Sequence, residues 1–433
     1  MIKSTITDIK TLLSYKAVAK IMLSRIISRF GDSLDVIAFS WLVYELTGSA
    51  LMLGGIYAAN ILPNLLLSPF VGPLVNYLPK KLVVVLGDLL RGIFVLSAAL
   101  LFSIGLLESY HLFIFTVLNS TVEVFVMPVK ASVNQKLIPE DLYAVANGSM
   151  GSIIGLSQLL GYGSAGFIIA TLGIKGAMII DATTFLISGV IISTILFPKS
   201  KKQEFTTSNY FEDLKKGYSF ITKDSILVKI IIQFCLMNFL FVPINAMMPL
   251  YVTEVLSSGP EIIGILSVAL TMGAVCGGFI STNLSKKVNV YKLYIIPMMI
   301  ISTIFFFVAL PNFISSKYII LIPILSFFTV GLAFSVVNMV VQTYQMKRTP
   351  NTMIGHVSSL TSVLAMIAMP IGGSFYGLIT GKMGFANILL MNSAVLFVVV
   401  MIFSLSRDVR GLKKYKTIND ITMYEAVQEL DVA

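Results

Sequence analysis

The sequence predicts an all-α membrane protein of twelve transmembrane helices in two pseudo-symmetric six-helix bundles. Three observations carry this. Of the 433 residues, 56% are hydrophobic and only 12% are charged, against about 25% charged in a soluble domain. Twelve stretches reach the roughly 20 predominantly apolar residues that a bilayer-spanning helix needs. Finally, one short motif occurs twice. Gly72-Pro73-Leu74-Val75-Asn76-Tyr77-Leu78-Pro79-Lys80-Lys81 and Gly278-Phe279-Ile280-Ser281-Thr282-Asn283-Leu284-Ser285-Lys286-Lys287 share an opening glycine and a closing lysine pair at the same spacing. Each copy follows the second apolar span of its half, as expected if two related bundles were joined. Substrates of such proteins bind between the repeats.

In order, the predicted spans are 20–46, 51–77, 82–105, 109–135, 143–172 and 174–197, then 225–256, 259–285, 291–311, 316–346, 352–381 and 383–406. They define an N-terminal bundle, 1–198, and a C-terminal bundle, 225–406, joined by a linker, 199–224, and followed by a tail, 407–433. Phe211, Leu214, Tyr218 and Ile221 recur in the linker at helical spacing. They read equally as a surface-lying amphipathic helix or as plain linker. An even number of spans puts both termini on one side. One set of span ends holds Lys3, Lys10, Lys16, Lys20, Lys80, Lys81, Lys136, Lys199, Lys201, Lys202, Lys286, Lys287, Lys347, Arg348, Arg407, Arg410, Lys413 and Lys414; the other holds Lys175, Lys317 and Lys382. The positive-inside rule places both termini in the cytoplasm. It also accounts for the net charge of +10 without nucleic acid. The expected location is the cell membrane, multi-pass, with the lipid bilayer as solvent and the chain as a monomer. Cys235 and Cys276 both lie in apolar spans, which argues against a structural disulfide.

Ionisable residues inside a membrane are costly and mark function by default. Asp32 lies about 18 Å into the first span, near the bilayer centre, with Asp35 one turn on. Arg25 and Arg29 lead toward Asp32 on the same helix face. Glu123 falls at similar depth in the fourth span, with Lys130 two turns away on its face. The functional reading is that Asp32 or Glu123, with Asp35 as a weaker candidate, binds and releases a proton. The competing reading is a set of permanent ion pairs, Arg29 with Asp32 and Glu123 with Lys130. Arg25 reads as a snorkelling or gate residue. Asp88 and Arg91, near the inner end of the third span, read as a structural pair beside the Lys80–Lys81 turn. Asp181 also reads as structural.

The second half carries neutral stripes instead. Phe234, Asn238, Phe241 and Asn245 share one face of the seventh span. Phe334, Asn338, Gln342 and Gln345 do so in the tenth, and Tyr57, Asn60 and Asn64 in the second. Amides in lipid need partners. These faces therefore line a cavity for a bulky, mostly apolar ligand or serve as interhelical glue. Met237, Met247, Met248 and Met339 would make such a wall adaptable. No Walker-type loop appears, no metal-ligand spacing and no hydrolytic triad, so neither cofactor nor enzymatic activity is expected.

In these motifs the chain resembles the major facilitator superfamily. The family's turn between its second and third helices reads roughly Gly-x-Leu-Ala-Asp-Arg-x-Gly-Arg-Lys. Gly72, Leu74, Lys80 and Lys81 match it, while Asn76 stands for the usual Asp and Pro79 for the usual Gly. The turn is a gate element in that family, so the resemblance implies Gly72, Asn76, Lys80, Lys81, Asp88 and Arg91 as gate-turn residues. Arg29-Phe30-Gly31-Asp32-Ser33 with Trp41-Leu42-Val43-Tyr44-Glu45-Leu46-Thr47-Gly48-Ser49 resembles the first helix of the drug-efflux branch, which includes macrolide pumps and the enterobactin exporter. Asp88–Arg91, Pro139–Asn147, Pro243-Ile244-Asn245 and Met369-Pro370-Ile371-Gly372 are similar to that branch too. Tyr162 departs from it, standing where the branch carries a proline. The resemblance implies a secondary active exporter of a small organic molecule, driven by protons through alternating access, with the first, fourth, seventh and tenth helices around a central cavity. A lipid or lysolipid flippase and a siderophore or peptide exporter are alternatives on the same fold. A non-transporting receptor or assembly partner is the alternative of another class.

Overall fold

A computed structural model of the chain describes residues 11–12, 14–74, 78–138, 143–195, 215, 218–314, 319–350 and 354–421. Among them there is no strand. The helices are α1 (Lys16–Thr47), α2 (Ala50–Leu74), α3 (Lys80–Ser103), α4 (Ser109–Leu137), α5 (Tyr143–Ser193), α6 (Ser225–Ala246), the short α7 (Met248–Leu250), α8 (Pro260–Leu284), α9 (Val290–Ala309), α10 (Leu321–Arg348), α11 (Ile354–Met366), α12 (Ala368–Met383), α13 (Phe385–Leu405) and α14 (Arg407–Arg410). Ten stretches among the described residues are long and apolar enough to cross a membrane. The charged α1 is not one of them. One of the ten, Ile153–Ser193, has 41 residues, about 60 Å of helix or twice a bilayer core. It breaks at Gly173, whose φ of 69° and ψ of 176° leave the helical region. A residue without Cβ takes that conformation cheaply. The break falls where the sixth predicted span was separated from the fifth.

Proline divides two other spans that the sequence reading left whole. Pro370 has no N–H to give the carbonyl one turn back and its ring crowds that carbonyl; α11 ends at Met366 and α12 starts at Ala368. Pro243 precedes the end of α6 by three residues, and Pro249 opens α7, which runs into a π-helical turn, Tyr251–Val255.

The chain divides into two compact units, Met1–Phe205 with Ser258–Ile265, and Thr206–Ser257 with Leu266–Ala433. In the first, α1 packs mainly on α5, α2 on α4, and α3 on both α4 and α5. Met22, Val84, Val129, Val133, Met150 and Ile192 form its apolar core. In the second, α9 packs on α10 and α13, and α6 on α12. Helices α8 and α10 cross at glycines: a Cβ on Gly273 would overlap the Phe328 carbonyl, and one on Gly331 would overlap that of Leu270. Such contact between small residues substitutes for the hydrophobic drive that lipid cannot supply. Buried polar side chains stitch the same unit. Tyr376 donates to Asn392 at 2.8 Å, Asn392 donates to the Leu240 carbonyl at 2.8 Å, and Tyr294 donates to Gln233 at 2.8 Å.

In the linker, residues 218–223 are helical; Phe211 and Leu214 lie outside the described residues. Tyr218 is exposed, whereas Phe220 and Ile221 pack on Leu227, Ile231 and Val357 of the second unit. Residues 407–421 of the tail form a strap. Val409, Leu412, Tyr415, Ile418 and Ile421 are buried. Asn289 donates to the carbonyls of Lys413 and Tyr415 at 2.9 and 2.8 Å, and the Ile418 N–H donates to the Ser285 carbonyl at 3.2 Å. The strap therefore binds the second copy of the repeated turn. Asp408 adds a tie to α6, with Lys229 at 2.5 Å and the Ser225 hydroxyl at 3.0 Å.

Candidate functional site

Arg91 is the hub of a charged cluster inside the first unit. It projects from the middle of α3, and its NH2 group lies 3.0 Å from Asp32 Oδ1 on α1 and 3.9 Å from Glu123 Oε2 on α4. Its Nε donates to Asn119 Oδ1 at 2.7 Å, and its guanidinium sits 4.2 Å from the centroid of the Phe185 ring. Arg29 adds a second contact to Asp32 at 3.5 Å. Asp32 keeps 18% and Glu123 34% of their side-chain surface accessible, so neither carboxylate is sealed.

The pairing differs from the sequence reading. Lys130 does not face Glu123; it donates to both oxygens of Asp88, at 2.8 and 3.0 Å. The Ser188 hydroxyl also donates to Asp88, at 2.6 Å. Asp88 and Arg91 thus are not partners of each other. Three residues apart on α3, they reach different neighbours, and both are buried well inside the helix rather than at the gate turn. Single-helix periodicity shows which residues share a face but not which neighbouring helix that face meets. Arg25 lines a small void with Ser24, Val84 and Lys130. Asp35 follows Asp32 on α1, with one oxygen buried and unpartnered. Of the gate turn, Gly72 falls in α2, Asn76 lies outside the described residues, Lys80 donates to Ser132, and Lys81 is exposed. Sequence reasoning missed Asn119 and Phe185 as partners of Arg91. Asp181, read as structural from the sequence, is fully buried and has both carboxylate oxygens without a hydrogen-bond partner. The signal was visible: an acid in the middle of an apolar span.

The second unit contains a cavity of about 290 Å³ lined by Asn238, Phe241 and Asn245 of α6, Thr271 and Ala274 of α8, and Phe334 of α10, among others. Of the α6 stripe, Asn238, Phe241 and Asn245 line this void and Phe234 does not. Phe334 lies between two α6 rings, 6.5 Å from the centroids of both Phe234 and Phe241. Asn238 spends one donor on the Ala365 carbonyl at 2.8 Å, beside the α11–α12 break, so glue and cavity wall coexist in one residue. Asn338 and Gln342 sit on the same helix as Phe334, half-buried and exposed. In the first unit, Asn60 donates to Ser120 at 3.0 Å and Asn64 is exposed. Thr271 was not foreseen; a lone threonine in an apolar span gives no signal. Among the described residues no His, Cys, Asp and Glu group could hold a metal.

Two helical membrane units, with a cluster of shared carboxylates and guanidinium groups in the first and a polar-flecked cavity in the second, have the build of a transporter. The chain belongs to the Major Facilitator Superfamily, whose model matches residues 21–373. It is 21% identical to macrolide efflux protein A of Streptococcus pyogenes over 85% of this chain and 90% of that protein. It is 24% identical to the multidrug efflux pump Tap of Mycolicibacterium fortuitum over 79% of this chain and 84% of that one. Among solved structures, the nucleoside transporter NupG aligns with a TM-score of 0.71 at 13% identity, covering 92% of this chain and 99% of that one. The chain is therefore a multi-pass membrane transporter and not an enzyme.

Proposed function

We propose that this transporter exports a largely apolar small molecule by alternating access, in exchange for protons, with both termini cytoplasmic. The observation that carries the proton step is one guanidinium, Arg91, shared by two partly accessible carboxylates, Asp32 and Glu123. A cation beside a carboxylate favours its charged form, and losing that cation favours protonation. Any movement that shifts Arg91 from one acid to the other transfers the tendency to hold a proton. Efflux relatives over most of the chain support the export direction.

The cavity of the second unit supports the substrate side. Its volume of about 290 Å³ is at the lower edge of ligand pockets, roughly 300–1,000 Å³. It takes a ring-sized part of a ligand, with Asn245 and Thr271 as the orienting polar groups. A second reading, a lipid-like cargo, is favoured by an apolar cavity of about 410 Å³ in the first unit, walled by Ile26, Phe30, Leu156 and Leu160.

The test is uptake of ethidium and of a fluorescent lysolipid into inverted membrane vesicles expressing the chain. Proton antiport requires that collapsing the pH gradient abolish uptake of the transported probe. It also requires that Asp32→Asn do the same in folded protein. Uptake unaffected by either change would remove Asp32 and proton coupling from the mechanism. Selective movement of the lysolipid would establish the second reading.

A further inference from the structure

We propose that Asp181 and Asp35 form a second proton-binding site in the first unit, distinct from the Arg91-bound pair, which passes its proton to Asp32. The relay step rests on the proton-coupled reading above; the site itself does not.

The geometry starts at Gly31. A Cβ there would overlap both Asp181 Oδ1 and Thr184 Oγ1, so the missing side chain is what admits the Asp181 carboxyl against the α1 backbone. Asp35 is one turn further along α1, on the same face. Asp181 has no solvent exposure and neither oxygen has a hydrogen-bond partner; Asp35 is half-buried, with its Oδ1 enclosed and unpartnered. The neighbouring hydroxyl does not help, because Thr184 donates to the backbone carbonyl of Asp181 at 2.7 Å.

The nearby cations are committed elsewhere: Arg29 and Arg91 to Asp32, Arg91 also to Glu123, and Lys130 to Asp88. Among the described residues Asp35 and Asp181 have no ion pair. For Asp181 a buried charge without partners is prohibitively costly, and the neighbouring Asp35 charge repels it further. One proton shared between them removes a charge and creates an O–H donor for the other carboxyl. The groups whose charge reaches this site are Asp32 and Asp35 from α1 and Arg91 from α3. Arg29, Asp88 and Glu123 lie one contact further out. Asp32 is three residues from Asp35, on one helix face. The transfer breaks the O–H bond of Asp35 and forms one on Asp32. Asp32 becomes neutral, the Asp35–Asp181 pair gains the negative charge, and Arg91, freed from Asp32, is the cation in position to compensate it.

The test is infrared difference spectroscopy of the purified full-length protein across a pH titration, reading the hydrogen/deuterium-sensitive carbonyl stretch of protonated carboxyls. The expected result is a titrating band that persists in Asp32→Asn and is lost in Asp181→Asn. Asp181→Glu keeps a carboxyl and should move the band, which covers the case in which Asp181→Asn does not fold. A spectrum unchanged by both Asp181 variants, or a band lost equally in Asp32→Asn, overturns the proposal. Because the readout needs no transport, failure of proton-coupled export and failure of this site give different results.

Discussion

Replacing Asp224 by alanine should unfold the second unit at a markedly lower temperature. Asp224 is 2% exposed and does two jobs. Oδ1 caps α6, accepting the N–H groups of Ile226 and Leu227 at 3.1 Å each. Oδ2 accepts from Arg348 Nε at 3.1 Å, and the Tyr344 hydroxyl adds a longer contact at 3.4 Å. Loss of the cap costs about 1 kcal/mol, and removing one member of a buried ion pair costs about 3–5 kcal/mol. Together, about 4–6 kcal/mol corresponds to a drop of roughly 10–20 °C for a unit of this size. Arg348→Met should cost less, about 3 kcal/mol, because the carboxylate left behind keeps two backbone donors at a helix N-terminus, where negative charge is favoured. The chain supplies its own reporter. Its two cysteines, Cys235 on α6 and Cys276 on α8, are free, partly buried and both in the second unit. Their reaction with a thiol-sensitive dye during a thermal ramp reads this unit. A melting point for Asp224→Ala within about 3 °C of wild type, or a larger drop for Arg348→Met, would refute the reasoning.

Gly31→Ala should destabilise the first unit by about 1–3 kcal/mol through overpacking, read by the fluorescence of Trp41 on α1. Gly151→Ala, where an added Cβ meets nothing within 4 Å, is the control and should be neutral. Phe334→Ala should weaken binding of ethidium roughly tenfold by removing the ring between Phe234 and Phe241, and Asn245→Leu several-fold by removing an amide worth about 1 kcal/mol; fluorescence titration checks both. Hydrogen bonds from Lys229 and Ser225 hold the Asp408 carboxyl below its ordinary value. The stabilisation from its tie to α6 is thus fully present above the ordinary carboxyl range and is lost as pH falls through the lowered value. Tail accessibility to a protease should rise only at strongly acidic pH in wild type, and already at neutral pH in Lys229→Ala.

The spans were legible because bilayer thickness imposes a length that apolar runs reveal directly. The turn at Gly173 was legible too. The breaks at Ile367 and Met247 were not, although Pro370 and Pro243 were in plain view: proline inside a membrane helix is tolerated when neighbouring groups absorb the freed carbonyls, so its presence alone does not fix a break. Faces were legible and partners were not. The stripe of Asn238, Phe241 and Asn245 follows from a period of 3.6 residues, whereas the pairing of Arg91 with Asp32 and of Lys130 with Asp88 depends on which helices are neighbours. The tail hid for a related reason. Its buried residues, Val409, Leu412, Tyr415, Ile418 and Ile421, are spread over short turns without a single period, so no pattern announces that they dock.

That docking gives the molecule a built-in handle. Residues 413–418 are fastened to the loop that follows α8, so whatever displaces the loop must drag them with it. A fluorophore placed on the exposed Lys416 would ride on that loop, turning each excursion of the second copy of the repeat into a measurable signal.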